Sequence, residues 1–212
     1  MRRRSEWGEK ARAWFDTNER EIMAGLPRGN TTNRSTRELA LKGKYGELVW
    51  SDLYRIPVDM SADINTHKKP DAVHPRSLIP FDVKSRTAYT ERADGTRTPW
   101  RNLYLEARLD HLEEHPDYRL QLVAILPEEV IVAGGLVSDA VYAMAMDAST
   151  KALTDTAEIG QAFARADLPV FIARDRQRVM VNVRHDLLRP LHDWESACGL
   201  EPDLAARARS WP

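Results

Sequence analysis

The chain has 212 residues, 42% hydrophobic and 30% charged, with 31 Lys plus Arg against 32 Asp plus Glu and a formal net charge of -1. That length suits one sizeable domain with or without helical extensions, and the near-zero charge argues against a protein that coats nucleic acid through charge alone. The single cysteine, Cys198, excludes an intrachain disulfide and a cysteine-rich zinc site; no long uncharged apolar run spans a membrane, no apolar stretch follows Met1-Arg2-Arg3-Arg4 as a secretory signal requires, and a cytoplasmic protein is the expectation.

In chain order, Ser5 to about Met23 has helical spacing, with Trp7, Ala11, Trp14 and Phe15 on one apolar face. Gly25 to Arg34 is a polar loop by composition. A second helix is expected from about Thr36 through Tyr54, with Leu39, Leu41, Tyr45, Leu48, Val49 and Leu53 as its apolar positions. Gly43 and Gly46 weaken it, so close packing or a break near Gly43 is expected. Short extended segments follow at Ile56–Met60 and Ala72-Val73, then a stronger strand at Ser77–Ser85. Thr87–Thr98 should form a hairpin or loop around Asp94-Gly95.

From Trp100 to about His115 the spacing of Leu103, Ala107, Leu109 and Leu112 is read as helical. Tyr118–Ala133 reads as two core strands split by Pro127-Glu128-Glu129, and Ser138–Ala145 as a short helix. Val170–Ala173 and Val179–Val183 read as a strand pair with a turn at Asp175-Arg176. A last helix runs from near His185 toward Cys198, and a loose tail ends the chain. This order fits one α/β domain with a mixed central sheet and helices at its sides.

Chemistry concentrates at Pro70-Asp71 and Asp82-Val83-Lys84-Ser85. On a strand, alternate side chains share a face, so Asp82 and Lys84 stand together while Phe81 and Val83 enter the core. The turn-prone His74-Pro75-Arg76 allows a hairpin that brings Asp71 beside Asp82. Adjacent carboxylates repel unless a positive charge lies between them. Their hard oxygens favour Mg²⁺ or Mn²⁺ over Zn²⁺. Lys84 would orient water and stabilise developing charge on a phosphate; whether it is also the base is not legible in sequence. Asp63 competes with Asp71 for the metal role.

Asp82-Val83-Lys84 is the only acid-x-Lys tripeptide in the chain, and with Pro70-Asp71 upstream it resembles the PD-(D/E)XK nuclease superfamily. Gly43-Lys44-Tyr45-Gly46-Glu47 is similar to the Gly-x-x-Gly-Glu helix of many members. The resemblance covers roughly Thr36 to Gly135. It implies a restriction-endonuclease-like fold, with Glu47 joining Asp71 and Asp82 as a metal ligand. It also implies hydrolysis of DNA phosphodiester bonds with Mg²⁺ or Mn²⁺. On this reading residues 1–35 are an N-terminal helix and loop, 36–199 the nuclease domain and 200–212 a tail. A homodimer fits, because two symmetric sites cut both strands of a duplex. A structure-selective junction resolvase, or a DNA-binding protein that keeps the fold without catalysis, fits the same residues.

Five of the seven lysines fall between Lys42 and Lys84, where a compact point charge suits phosphate. Lys44, Arg34, Ser85 and Arg86 are expected to contact DNA; Arg28, Asn30, Thr31 and Asn33 offer further donors, and Trp100-Arg101 is either a wedge against DNA or core. His67 and His74 flank Asp71. His111 and His115 are spaced to clamp a metal, but the intervening Leu112-Glu113-Glu114 is not the His-Glu-x-x-His arrangement.

Overall fold

Bulky apolar residues spaced along one face of each of the first two helices make them pack as a pair. In the computed structural model, which describes residues 2–24, 33–61, 69–100, 102–127, 129–165, 168–175 and 178–203, these are α1 (Arg2–Ala24) and α2 (Asn33–Tyr54). Trp14, Phe15 and Ile22 of α1 are buried against Ala40 and Leu41 of α2, and Trp7 meets Tyr45 edge-on. Leu39, expected on the apolar face, is instead 63% exposed.

The helix α2 passes through Gly43 without a break. A close approach requires the second glycine, while a side chain at Gly43 would meet open space. A Cβ at Gly46 would lie 1.8 Å from Ser85 Oγ and 2.7 Å from Ser85 Cβ, so only glycine lets the helix approach the strand beneath it this closely. Its opposite end stops at Arg55, which takes up a left-handed conformation (φ 55°).

Ala72–Val73 (β1) and Pro80–Thr87 (β2) form an antiparallel hairpin in the register Ala72 to Phe81, through a turn in which His74 Nδ1 accepts from the Ser77 amide at 3.0 Å. Ile56–Met60, expected as a strand, contributes only a bridge from Val58 to Ala72. Tyr89–Glu91 (β3) and Arg97–Pro99 (β4) make the hairpin expected around Asp94-Gly95, where Gly95 has φ 81°.

The helical expectation for Trp100–His115 fails in its first half. Tyr104–Arg108 is a strand (β5), and only Leu109–Glu114 is helical (α3). Leu105-Glu106-Ala107-Arg108 alternates as a strand does, but Leu105, Leu109 and Leu112 also recur at helical spacing, so the apolar pattern fits both periods.

The remaining order is Arg119–Ile125 (β6), Val130–Val137 (β7), Ser138–Met146 (α4), Lys151–Leu153 (β8), Thr156–Arg165 (α5), Val170–Asp175 (β9), Arg178–Arg184 (β10), a 3₁₀ turn at His185–Leu187 and Leu191–Cys198 (α6). The last helix therefore starts after Pro190, a residue suited to a helix entrance, and not near His185. The turn expected at Asp175-Arg176 extends outside the described residues.

The fold is mixed α/β, but the strands do not form one central sheet. They divide into two mixed four-stranded sheets, β1-β2-β6-β7 and β5-β10-β9-β8, and the separate β3-β4 hairpin. In the first, β2 and β6 are parallel, with Asp82 level with Leu120. One face of this sheet (Phe81, Val83, Val123, Val130, Val132) packs under Val49, Trp50 and Leu53 of α2 and under Trp194 and Cys198 of α6. Leu120 and Leu122, on the other face of β6, pack with Leu105, Ala107, Val181 and Val183 of the second sheet, together with Leu112 of α3 and Val141 of α4. The far face of the second sheet is covered by α5 through Tyr104, Phe171 and Ala162. Leu200 is buried in the first core and the Asp203 amide donates to Leu53 O at 2.8 Å, so the start of the expected tail is docked.

Candidate active site

Strand alternation sets the first two members. Phe81 and Val83 are buried beneath α2, and Asp82 and Lys84 project from the other face of β2. Lys84 Nζ lies 2.5 Å from Asp82 Oδ2, and both side chains are largely enclosed. Burial pushes the Asp82 carboxyl up, but Lys84 and His111 outweigh it and hold it well below the ordinary range. Burial likewise pulls the Lys84 ammonium down, yet Asp82, Asp71 and Glu47 together leave it raised. Lys84 is thus a fixed positive charge in this arrangement, not a neutral amine.

Asp71 immediately precedes β1, and continuing the hairpin register one step past Ala72 and Phe81 sets it opposite Asp82. The Val83 amide donates to Asp71 Oδ2 at 2.7 Å. Burial, then the charges of Glu47 and Asp82, push Asp71 well above the usual carboxylate range.

Glu47 arrives from α2, one residue after the Gly46 contact. Lys44, one turn earlier, places Nζ 2.5 Å from Glu47 Oε2 and donates to Asp59 O at 2.7 Å. The ammonium also sits 4.7 Å from the centre of the Trp14 ring of α1, a cation–π arrangement. Burial raises the Glu47 carboxyl, Lys44 opposes this, and Asp82 adds to it. Glu47, Asp71, Asp82 and Lys84 are therefore close enough to perturb one another, although they come from three separate elements.

The sequence reading missed His111. Its ring, on α3, lies with Nε2 2.9 Å from Asp82 Oδ2, the oxygen that Lys84 also contacts. The histidine pair was legible at i, i+4, but its partner is an aspartate on a distant strand, which no local pattern displays.

The expected DNA contacts have other partners here. Ser85 lies under α2, with its hydroxyl donating to Gly43 O at 3.3 Å. Arg86 pairs with Glu106 at 3.0 Å, donates to Asn182 at 3.1 Å, and lies 4.0 Å from the centre of the Phe163 ring. Trp100 stacks on Phe163 and donates to Thr90, so it is part of the packing around Arg86. Lys44 is engaged by Glu47, and His74 serves the hairpin turn. The Arg34 side chain, the 25–32 loop, Asp63, His67 and Arg101 lie outside the described residues.

Among the described residues, no three His, Cys, Asp or Glu side chains are arranged to hold a metal ion as they stand. As they stand, Asp82 Oδ2 faces Lys84 and His111, Asp71 Oδ2 faces an amide, and Glu47 Oε2 faces Lys44. The donor chemistry nevertheless fits a hard divalent cation. Three enclosed carboxylates crowd together, and two of them are pushed toward the neutral acid by burial and mutual repulsion. No helix among the described residues is long and apolar enough to cross a membrane. No family model, no curated protein and no solved structure matches the chain.

Proposed function

We propose that the chain is a Mg²⁺- or Mn²⁺-dependent DNA endonuclease that hydrolyses phosphodiester bonds at a PD-(D/E)XK-type site. The observation that carries this reading is the meeting of Glu47, Asp71, Asp82 and Lys84 at one edge of the first sheet, near enough for their charges to shift one another's acidity. Glu47, Asp71 and Asp82 are the residues that would hold the cation. When bound, it would supply Lewis-acid polarisation of a phosphate oxygen and a lowered pKa for water. Asp71, whose carboxyl burial and neighbouring acids push well above the usual range, is a group whose ionised form a cation there would favour. Lys84, kept as an ammonium, offsets the charge that develops on the attacked phosphate. The restriction-endonuclease-like fold, a cytoplasmic location and a homodimer belong to this same proposal.

A second reading has one observation in its favour. Each acidic side chain already has a proton donor facing it, as in a DNA-binding protein that keeps the fold without catalysis. Incubation with supercoiled plasmid and with four-way junction DNA, with Mg²⁺ or with EDTA, separates the two. Cutting that requires Mg²⁺ and is lost in Asp82→Ala and Lys84→Ala is the expected result. Preference for the junction would make the enzyme a resolvase, and no cutting of either DNA would sink the catalytic reading.

A further inference from the structure

Each of the three acids in the site has its own fastening. The Val83 amide holds Asp71 Oδ2, and Lys44 holds Glu47 Oε2. Asp82 is different, because its neighbour on the same strand face, Lys84, is the group the chemistry needs to engage a phosphate. When Lys84 turns toward substrate, the only other side chain that the described contacts place on Asp82 Oδ2 is His111, with Nε2 at 2.9 Å. A hydrogen bond from the imidazole to this oxygen would fix the plane of the carboxyl group.

The imidazole is itself held in place. His111 contacts the His115 ring at 4.8 Å between centres and the Tyr118 ring edge-on at 5.6 Å. His115 and Tyr118 stack on each other at 4.4 Å with their planes 20° apart. Leu112, the next residue of α3, is fully buried between the two sheets, which anchors the short helix. The Asp110 carboxylate accepts from the His111 amide at 2.9 Å and ties the first turn. A three-ring cluster at and just beyond α3 thus keeps Nε2 of His111 beside one oxygen of the strand carboxylate.

Resting on the nuclease reading, we propose that His111 is a positioning residue that holds Asp82 Oδ2 and so presents the remaining oxygen of this carboxylate to the cation. It acts through Asp82 and touches neither phosphate nor the reacting water. Groups that hydrogen-bond a ligating side chain in this way commonly change metal affinity or activity by about 10- to 100-fold when removed.

The test measures Mn²⁺ affinity of the full chain by isothermal titration, beside plasmid cleavage over a range of Mn²⁺ concentrations. His111→Leu is expected to weaken Mn²⁺ binding at least about tenfold, and to shift the metal concentration for half-maximal cleavage by a similar factor. His111→Gln keeps an N–H donor at comparable reach and should recover most of the affinity, whereas the shorter His111→Asn should not. Thermal melts establish that each variant is folded; if His111→Leu is not, the Gln and Asn pair carries the comparison. Equal Mn²⁺ affinity in wild type, Gln and Asn variants, with wild-type cleavage intact, overturns the role of His111 and leaves the nuclease reading standing. A wild-type chain that neither binds Mn²⁺ nor cuts DNA overturns both.

Discussion

The amide of Val83 donates to Asp71 Oδ2 at 2.7 Å, so the residue between Asp82 and Lys84 also fixes the third acidic position. Val83 serves three ends at once. Its side chain is buried in the first core, its neighbours carry the ionisable groups, and its backbone orients the carboxylate across the hairpin.

Replacing Asp71 tests this link. In Asp71→Ala the Val83 N–H loses its acceptor in a buried setting, which costs about 1–3 kcal/mol. Asp71→Asn keeps an acceptor and removes a carboxyl whose ionised form the site disfavours. An acid raised on folding binds its proton more tightly in the native state, so stability falls as pH rises from the ordinary value of 3.8 through the raised one. Asp71→Asn should therefore melt higher than wild type at pH 8, with the gain shrinking toward pH 4. Both variants should lose cleavage. A melting difference independent of pH would contradict the crowding of carboxylates at this edge.

Asp82 has the opposite sign. Its folded pKa lies below its unfolded one, so its contribution is present above the unfolded value and is lost as pH falls through the acid range toward the folded value. Lys84→Met removes the largest influence holding it there. That variant should lose up to about 3 kcal/mol near neutral pH, because a buried carboxylate is left short of its partner. It should also lose cleavage by roughly 10²-fold or more. Urea unfolding at pH 7, in EDTA, measures the first quantity; a loss below about 0.5 kcal/mol would show the pair to be weakly coupled.

Added cation should relieve the same crowding. Mg²⁺ or Mn²⁺ at about 100 times its dissociation constant stabilises by about 2.7 kcal/mol if it binds only the folded chain. The effect should vanish in Asp82→Asn, and binding should release protons, as titrations in buffers of different ionisation enthalpy would reveal. An unchanged melting temperature at saturating Mn²⁺ would argue that the acids do not take a cation.

Gly46→Ala gives a test with a clear sign. Alanine improves an exposed helix interior by about 1 kcal/mol relative to glycine. Here the new methyl would overlap Ser85 Oγ and Cβ, and the expected outcome is a loss of about 1–3 kcal/mol. Adding Ser85→Gly removes both overlapping atoms and should restore part of the loss. Removing only the hydroxyl, by Ser85→Ala, should restore less, since Cβ itself is 2.7 Å away.

For Arg86 the prediction concerns a joint between the sheets. The guanidinium extends from β2 to Glu106 of β5 and Asn182 of β10. Arg86→Met should lower stability by about 1–3 kcal/mol in chemical unfolding. A variant as stable as wild type but weaker in DNA binding would instead assign this side chain to phosphate.

Much of the first sheet was legible in sequence because its signals are local. Alternation at Phe81–Lys84, the turn at His74-Pro75-Arg76 and the Gly46-Glu47 spacing act over a few residues, and each corresponds to an observed element. Tyr104–Arg108 was misread because Leu105, Leu109 and Leu112 fit helical spacing while Leu105-Glu106-Ala107-Arg108 fits strand alternation, and local spacing does not choose between the two. The division into two sheets depends on which strands pair at long range, which composition does not encode. The same limit hid His111, whose meaning depends on Asp82, and the partners of Arg86, which come from β5 and β10.

Trp14 lies against the ammonium of Lys44, which in turn grips Glu47. The first helix is therefore a wall of the chemical compartment and not a handle attached to it. An engineered minimal version beginning near residue 36 would keep every acid and the site lysine, yet open Lys44 to water on the side that Trp14 now closes. Such a truncation would let the lysine exchange partners, and Glu47 would lose the restraint that sets its reach toward the strand.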